Sequence, residues 1–297
     1  MAAPADPAQA WLATAHNVRL LDAATRATSL LAAAGVRAAL IKGAALLGDR
    51  FELDERRVAD IDVLLLRRDA VRARAALEAA GWRWQPPPAG PSAVFAWPSQ
   101  TLRDPLGVEI DLHVAVGALP RYRLDVEGVI ARAVAHPAAG PHALRACDAD
   151  LVLLLCLDHG KDDGKRKPQR CEDLARLCAS SAIDWPGLGQ RASATGVATV
   201  LWYNLEHLRE ARPDLSTTLA AARRAAPRPA WWRRRLADGL LDEAAAPPLS
   251  APARIAFGLV ATDSLPRYGA ALLLYAGRRA LDPLLARLPT RPQRSDS

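Results

Sequence analysis

Asp60 and Asp62 stand one residue apart at the head of the apolar run Arg57–Leu66, RVADIDVLLL. In an extended strand they point the same way, with Ile61 and Val63 on the other face. Two carboxylates side by side at the mouth of a core repel each other, and the arrangement is costly unless something positive lies between them. A divalent metal is one answer, since Mg²⁺ favours carboxylate oxygens and usually brings substrate phosphates with it. A second stretch, Val108–His113, reads VEIDLH, so Glu109, Asp111 and His113 share one face of a strand. If the two strands are neighbours, a third carboxylate meets the pair, and three carboxylates around metal suit transfer of a nucleotidyl or phosphoryl group. The plain alternative is a pair of half-exposed strands whose acids face water. An exposed face would usually mix charges, whereas these strands carry acid-only pairs downstream of a Lys-Gly turn.

That turn is Lys42-Gly43. The 297-residue chain has a formal charge of +7, which suits nucleotides, nucleic acid or an acidic partner without choosing among them. Of its 39 cationic Lys and Arg residues only Lys42, Lys161, Lys165 and Lys167 are lysines. An ammonium is a compact charge that meets phosphate differently from a guanidinium fork. Three of the four lie in GKDDGKRKPQR, the most basic short stretch, which is either a phosphate grip or a solvated loop.

The elements that must position these residues are legible in the periodicity. Residues 8–34 have a helical apolar face, ended by Gly35. A short strand, Val36–Ile41, leads through Lys42-Gly43 into a helix over Ala44–Arg50. Arg57–Leu66 is a buried strand with a polar head. Asp69 caps a helix over Ala70–Ala80, ended by Gly81, and Trp82–Trp84 extends beyond it. Pro86–Pro91 is a loop, Val94–Trp97 and Gln100–Arg103 are extended, and Asp104–Gly107 turns into the strand Val108–Val116. Thereafter helices dominate: Leu124–Ala135, Asp148–Leu157 with Asp148 as N-cap, Cys171–Ala179, Gly196–Ala211 and Ala253–Leu285. The fold class is therefore α/β (α+β), a mixed-sheet half followed by an all-helical half, divided as 1–145 and 146–289 with a disordered tail at 290–297.

The order LIKGAALL, RVADIDVLLL, VEIDLH resembles the nucleotidyltransferase superfamily of DNA polymerase β, and more narrowly a bacterial nucleotidyltransferase family with a Lys-Gly turn, a DIDLLV-like strand and an E-x-D-L-H strand. Gly81-Trp82, Leu157–Gly160 and Arg170–Leu174 extend the likeness, which covers about Ala10 to Pro289. The resemblance implies a nucleotidyltransferase fold with a short mixed sheet and a helical domain closing the cleft. It implies that Asp60, Asp62 and Asp111 hold Mg²⁺ or Mn²⁺, and that Gly43 marks the turn where nucleotide phosphates dock. A glycine turn opening a helix also brings backbone N–H groups close to an anion. Gly43-Ala44 stands where the superfamily usually has Gly-Ser or Gly-Gly, so no hydroxyl is offered there. Lys42 either supplies a charge to the phosphates or covers the surface. Arg50, Arg56 and Arg57 fill a longer spacing than in minimal members and are either phosphate contacts or solvated charges.

Glu109 either assists the metal or lies at the rim. His113 bonds Asp111 or the nucleotide, or is structural. His159 and Lys161 precede and open the basic loop, and Asp173 caps a helix or pairs with that loop. Trp231-Trp232-Arg233-Arg234-Arg235 either binds nucleic acid or membrane surface, or caps a helix on the core. No P-loop, dinucleotide fingerprint or GxSxG is present. Four scattered cysteines, no long apolar segment and no secretory pattern point to reduced thiols, no membrane span and a cytoplasmic protein. The expected activity is Mg²⁺-dependent transfer of a nucleoside monophosphate from an NTP to an unidentified acceptor hydroxyl. The rivals are a phosphotransferase using the same site and a non-catalytic or regulatory partner protein on the same fold.

Overall fold

Apolar side chains recurring every three or four residues produce helix α1, Pro7–Ala33, which buries Leu20, Ala24, Ala27 and Leu31 along one face. A computed structural model describes residues 7–86, 99–116, 121–161, 168–180, 183–233 and 251–274. Gly35, at φ +67°, ends α1. Its amide donates to the Ala32 carbonyl and that of Val36 to Leu31, a pairing that satisfies the last carbonyls and needs a left-handed residue. The chain then enters β1, Ala38–Ile41.

Among the described residues, seven strands form one mixed sheet in the order β3-β4-β5-β2-β1-β7-β6. The others are β2, Ile61–Leu65; β3, Arg83–Gln85; β4, Ser99–Arg103; β5, Glu109–His113; β6, Val134–Ala135; and β7, Leu144–Arg145. Central β2 is antiparallel to β1 and parallel to β5. Every residue of β2 is buried, which explains its near-continuous apolar run. Helix α2, Ala70–Ala79, packs on α1, and α3, Val126–Ala131, packs on β2.

The helical half comprises α4, Asp148–Lys161; α5, Pro168–Ser180; α6, Trp185–Thr195; α7, Ala198–Ala211; α8, Ser216–Ala225; and α9, Ala251–Ala261. Helix α7 is its hub, packing on α4, α5, α6, α8 and α9. One apolar core runs from Leu20 of α1 through Leu64 of β2 to Leu154 of α4 and Leu201 of α7. The four cysteines are free thiols, and among the described residues no helix is long and apolar enough to cross a membrane.

Several local expectations are corrected. Residues 44–50 form a run of turns, not a helix. Ala44–Leu47 are wholly buried and so present no solvent face, and Gly48 at φ +74° stops the winding, leaving Arg50 and Phe51 amides on the Leu46 carbonyl. Asp69 makes no side-chain cap to α2 because it pairs with Arg72. The expected helix over Leu124–Ala135 is only α3, capped by Asp125 at the Gly128 amide (2.9 Å), before the chain joins the sheet as β6. Helix α6, with Asp184 as N-cap and a proline in its first turn, is an addition to the expected set. The long C-terminal helix breaks at 262–264, where Asp263 turns to cap α7 through the Ala198 and Thr199 amides (2.6 and 3.1 Å). Arg233 of the Trp-Arg cluster is buried and donates to the carbonyls of Leu259, Val260 and Thr262, closing the end of α9. The expected loop past Pro86, the strand at Val94–Trp97, Arg234, Arg235 and the tail lie outside the described residues.

Candidate active site

Parallel pairing of β2 with β5 sets Asp62 directly opposite Asp111, and Leu64 opposite His113. Because alternate residues of a strand share a face, Asp111 and His113 both stand on the side that Asp62 faces. Antiparallel pairing of β1 with β2 sets Ile41 opposite Asp62, so Lys42 leaves the end of β1 beside that carboxylate. Lys42 Nζ donates to Asp62 Oδ1 at 2.7 Å, and His113 Nε2 lies 2.6 Å from the same oxygen. On the far side of β5, β4 pairs Thr101 with Asp111, and Thr101 Oγ1 donates to Asp111 Oδ1 at 2.5 Å.

Asp60 precedes β2, and its position is set by the segment leading into the strand. Asn17, buried in the apolar face of α1, clamps that segment. Its Nδ2 donates to the carbonyls of Leu53 and Arg56 at 2.8 and 2.6 Å, and its Oδ1 accepts from the Val58 amide at 3.1 Å. His16 Nε2 lies 2.6 Å from the Val58 carbonyl oxygen. Asp60 and Asp62 then line a cleft of about 480 Å³ with Lys42, Gly43, Arg56 and Arg57. Helices α4 and α5 supply the facing wall through Leu155, Asp158, Gln169, Arg170 and Asp173.

The walls are tied together by ion pairs. Arg56 pairs with Asp173 and lies 4.7 Å over the Phe51 ring, whereas Arg176 of α5 lies 4.9 Å from that ring and pairs with Glu55 at 2.7 Å. Arg50 pairs with Asp148 at 2.5 Å, and within the helical wall Arg170 of α5 pairs with Asp158 of α4 at 2.8 Å. The longer spacing between the Lys-Gly turn and Asp60 thus docks the sheet onto α4 and α5. Gly43 is confined beneath this docking: a Cβ there would lie 2.8 Å from Arg56 Nη2 and 3.0 Å from Val58 Cγ1.

Electrostatics separates the two neighbouring aspartates. Burial, with the charges of Asp62 and Asp111, pushes the Asp60 carboxyl up to about 6 against the pull of Lys42 and His113. Burial would raise Asp62 too, but the hydrogen bonds and charges of His113 and Lys42 prevail and hold it below the ordinary aspartate value. Burial disfavours the Lys42 ammonium, yet Asp62, Asp158 and Asp60 together lift its pKa above that of ordinary lysine. Burial likewise pushes Asp173 up to about 6, despite Arg56 and Arg170.

The donor set fits a divalent ion. Asp62, Asp111 and His113 each offer a ligand atom, all within 4.8 Å of one another. The carboxylate oxygens suit Mg²⁺ or Mn²⁺, whereas the imidazole is a ligand that transition metals favour. Asp60, whose ionisation is resisted by burial and by its acidic neighbours, is a further carboxylate that a cation would relieve.

The geometry brings Lys42, Gly43, Arg57, Asp60, Asp62, Asp111 and His113 to one region, with Asp173 on the opposite wall. His113 reaches Asp62 rather than Asp111: its register partner on β2 is Leu64, two positions beyond Asp62, so the two side chains meet diagonally on one face. Glu109 turns to Arg103, its register partner on β4, and stands away from the three-residue group. Asp173 lies within α5, past its first turn, and pairs with Arg56; it is not a cap. Arg50 and Arg56, expected as phosphate contacts or solvated charges, are instead engaged by Asp148 and Asp173. The side chains of His159 and Lys161, at the end of α4, and the loop 162–167 lie outside the described residues. Sequence reasoning missed Asn17, Thr101 and Asp158. Asn17 had a signal, an amide set among the apolar positions of α1, whereas Thr101 becomes visible only through the β4–β5 register.

No curated protein matches the chain. The family model for an uncharacterised nucleotidyltransferase matches residues 8–212, which span α1, the whole sheet and the helices through α7. The match therefore takes in the Lys-Gly turn, all three aspartates and the facing helices. It covers more than half of the chain, which thus belongs to this uncharacterised nucleotidyltransferase family.

Proposed function

We propose that the protein is a Mg²⁺- or Mn²⁺-dependent nucleotidyltransferase that moves a nucleoside monophosphate from an NTP to an acceptor hydroxyl and releases pyrophosphate. The observation that carries the reading is the Asp62–Asp111 register on neighbouring parallel strands, with Asp60 and the Lys42-Gly43 turn at the same end of the sheet. In this reading the first 145 residues form the catalytic domain, on a nucleotidyltransferase fold, and residues 146–289 form the wall that closes the cleft.

Asp60, Asp62 and Asp111, with His113 beside them, would hold the metal. Bound there, it would neutralise phosphate charge and lower the pKa of the attacking hydroxyl. The protein's own groups do the rest. The Lys42-Gly43 turn and exposed Arg57 seat the triphosphate at the sheet side of the cleft. Thr101 holds one Asp111 oxygen in place. The acceptor oxygen forms a bond to the α-phosphorus, the bond from that phosphorus to the pyrophosphate oxygen breaks, and the acceptor proton passes to Asp111. Helices α4 and α5 shape the acceptor side and limit water. NTP and acceptor are the partners required.

The test is mass analysis of the protein and of a small-molecule extract after incubation with each NTP and Mg²⁺. A mass gain of a nucleotide, lost in Asp111→Asn, supports the reading. A gain of phosphate alone would replace it with phosphoryl transfer.

A further inference from the structure

Among the described residues, Lys42 alone has a positive φ without being glycine, at +55°. An L-residue adopts this conformation at a cost, and β-branched or bulky residues do so rarely. The turn delivers the Lys42 ammonium to Asp62 Oδ1 at 2.7 Å. The ammonium therefore uses an oxygen of the same carboxylate that a divalent ion would need, inside a group whose ligand atoms lie within 4.8 Å of one another. A divalent ion and an ammonium on one carboxylate oppose each other, because like charges a few ångströms apart repel. Lys42 has somewhere else to go. It is 23% exposed, lines the same cleft as Gly43, Arg56 and Arg57, and has a flexible four-carbon stem.

We propose that Lys42 is an exchangeable counter-ion, paired with Asp62 when the site holds no metal and moved onto the phosphates of the incoming NTP when metal binds. The inference rests on the nucleotidyl-transfer reading and adds a rule of assembly to it. Metal alone must displace Lys42 and so binds weakly. Nucleotide gives the displaced ammonium a new partner, so metal and nucleotide strengthen each other, and by linkage the effect is reciprocal. Lys42 is thus a positioning residue that holds Asp62 in place before the substrates arrive. Its place at the end of β1 allows both positions without movement of the sheet.

The experiment titrates Mn²⁺, followed by the electron-spin signal of the unbound ion, with and without the four α,β-methylene NTPs, on wild type, Lys42→Met and Asp62→Asn. Wild type should bind Mn²⁺ weakly alone and more tightly with one analogue. Lys42→Met should bind Mn²⁺ alone about tenfold more tightly, the equivalent of one released charge-assisted hydrogen bond, and should lose most of the mutual strengthening. If Lys42→Met does not fold, Lys42→Asn, which tolerates the left-handed backbone, replaces it. A lysine variant that binds Mn²⁺ no more tightly than wild type, or keeps the full strengthening, overturns the exchange while leaving the metal site standing. Wild type that binds no Mn²⁺ under any condition, or Asp62→Asn that binds it as wild type does, overturns the nucleotidyl-transfer reading and this inference with it.

Discussion

Replacing Arg56 by alanine removes the guanidinium that pairs with Asp173 and lies 4.7 Å over Phe51. The Asp173 side chain is only 8% exposed, and burial already pushes its carboxyl up to about 6. Breaking a buried pair by removing one partner costs roughly 3–5 kcal/mol, and losing the aromatic contact adds about 1 kcal/mol. Arg170 still lowers the Asp173 pKa, which favours the lower end, about 4 kcal/mol in all at pH 8. The pH dependence follows from the direction of the shift. The folded pKa of Asp173 exceeds the ordinary 3.8, so its contribution to stability is fully present below pH 3.8 and is lost as pH rises through about 6. Without Arg56 the folded pKa lies higher still. At about pH 5.5 the variant therefore carries a protonated Asp173, and its deficit shrinks to roughly the lost stacking, about 1 kcal/mol. Urea unfolding at the two pH values measures this directly. Asp173→Asn in the Arg56→Ala background should remove the difference between them. An Arg56→Ala deficit that is the same at both pH values would refute the argument that Arg56 compensates a buried carboxylate.

Protons and metal compete for Asp60, whose carboxyl is pushed up to about 6 by burial and by its acidic neighbours. Mn²⁺ affinity should be flat above about pH 7 and fall by up to about tenfold per pH unit below 6, a slope that Asp60→Asn removes in a pH series of titrations. Thr101→Val frees the Asp111 oxygen that Thr101 holds at 2.5 Å, and Mn²⁺ titration should show a loss of roughly tenfold or more in affinity. Gly43→Ala places a methyl 2.8 Å from Arg56 Nη2 and 3.0 Å from Val58 Cγ1. Overpacking of this kind costs about 1–3 kcal/mol, and thermal unfolding of this variant should show it together with weaker NTP binding by calorimetry.

The carboxylate spacing was legible because a strand's two-residue period converts sequence directly into facing: Asp62 with Asp111 and His113 required only that β2 and β5 be neighbours. The boundaries of α1 and α2 were legible because Gly35 and Gly81 end helices by the same left-handed closure. What lay beyond local pattern was long-range pairing. The amphipathic logic that proposes a helix at 44–50 fails where every side chain from Ala44 to Leu47 is buried. The two-residue strands β6 and β7 are too short to carry a period. Arg50 and Arg56 looked like charges for solvent or phosphate because Asp148 and Asp173, about a hundred residues away, leave no mark on the local sequence. Separation in the chain likewise hid Asp263, which caps a helix more than sixty residues before it.

The central claim is that the ends of β1, β2 and β5 build a metal-dependent nucleotide site. The most direct measurement is calorimetric titration of the four NTPs with Mg²⁺ into wild type and into Asp60→Ala/Asp62→Ala, each shown to be folded. At least one NTP should bind wild type, that binding should require Mg²⁺, and the double variant should lose it. Binding that persists without Mg²⁺ or in the folded double variant, or no binding of any NTP to wild type, would contradict the account.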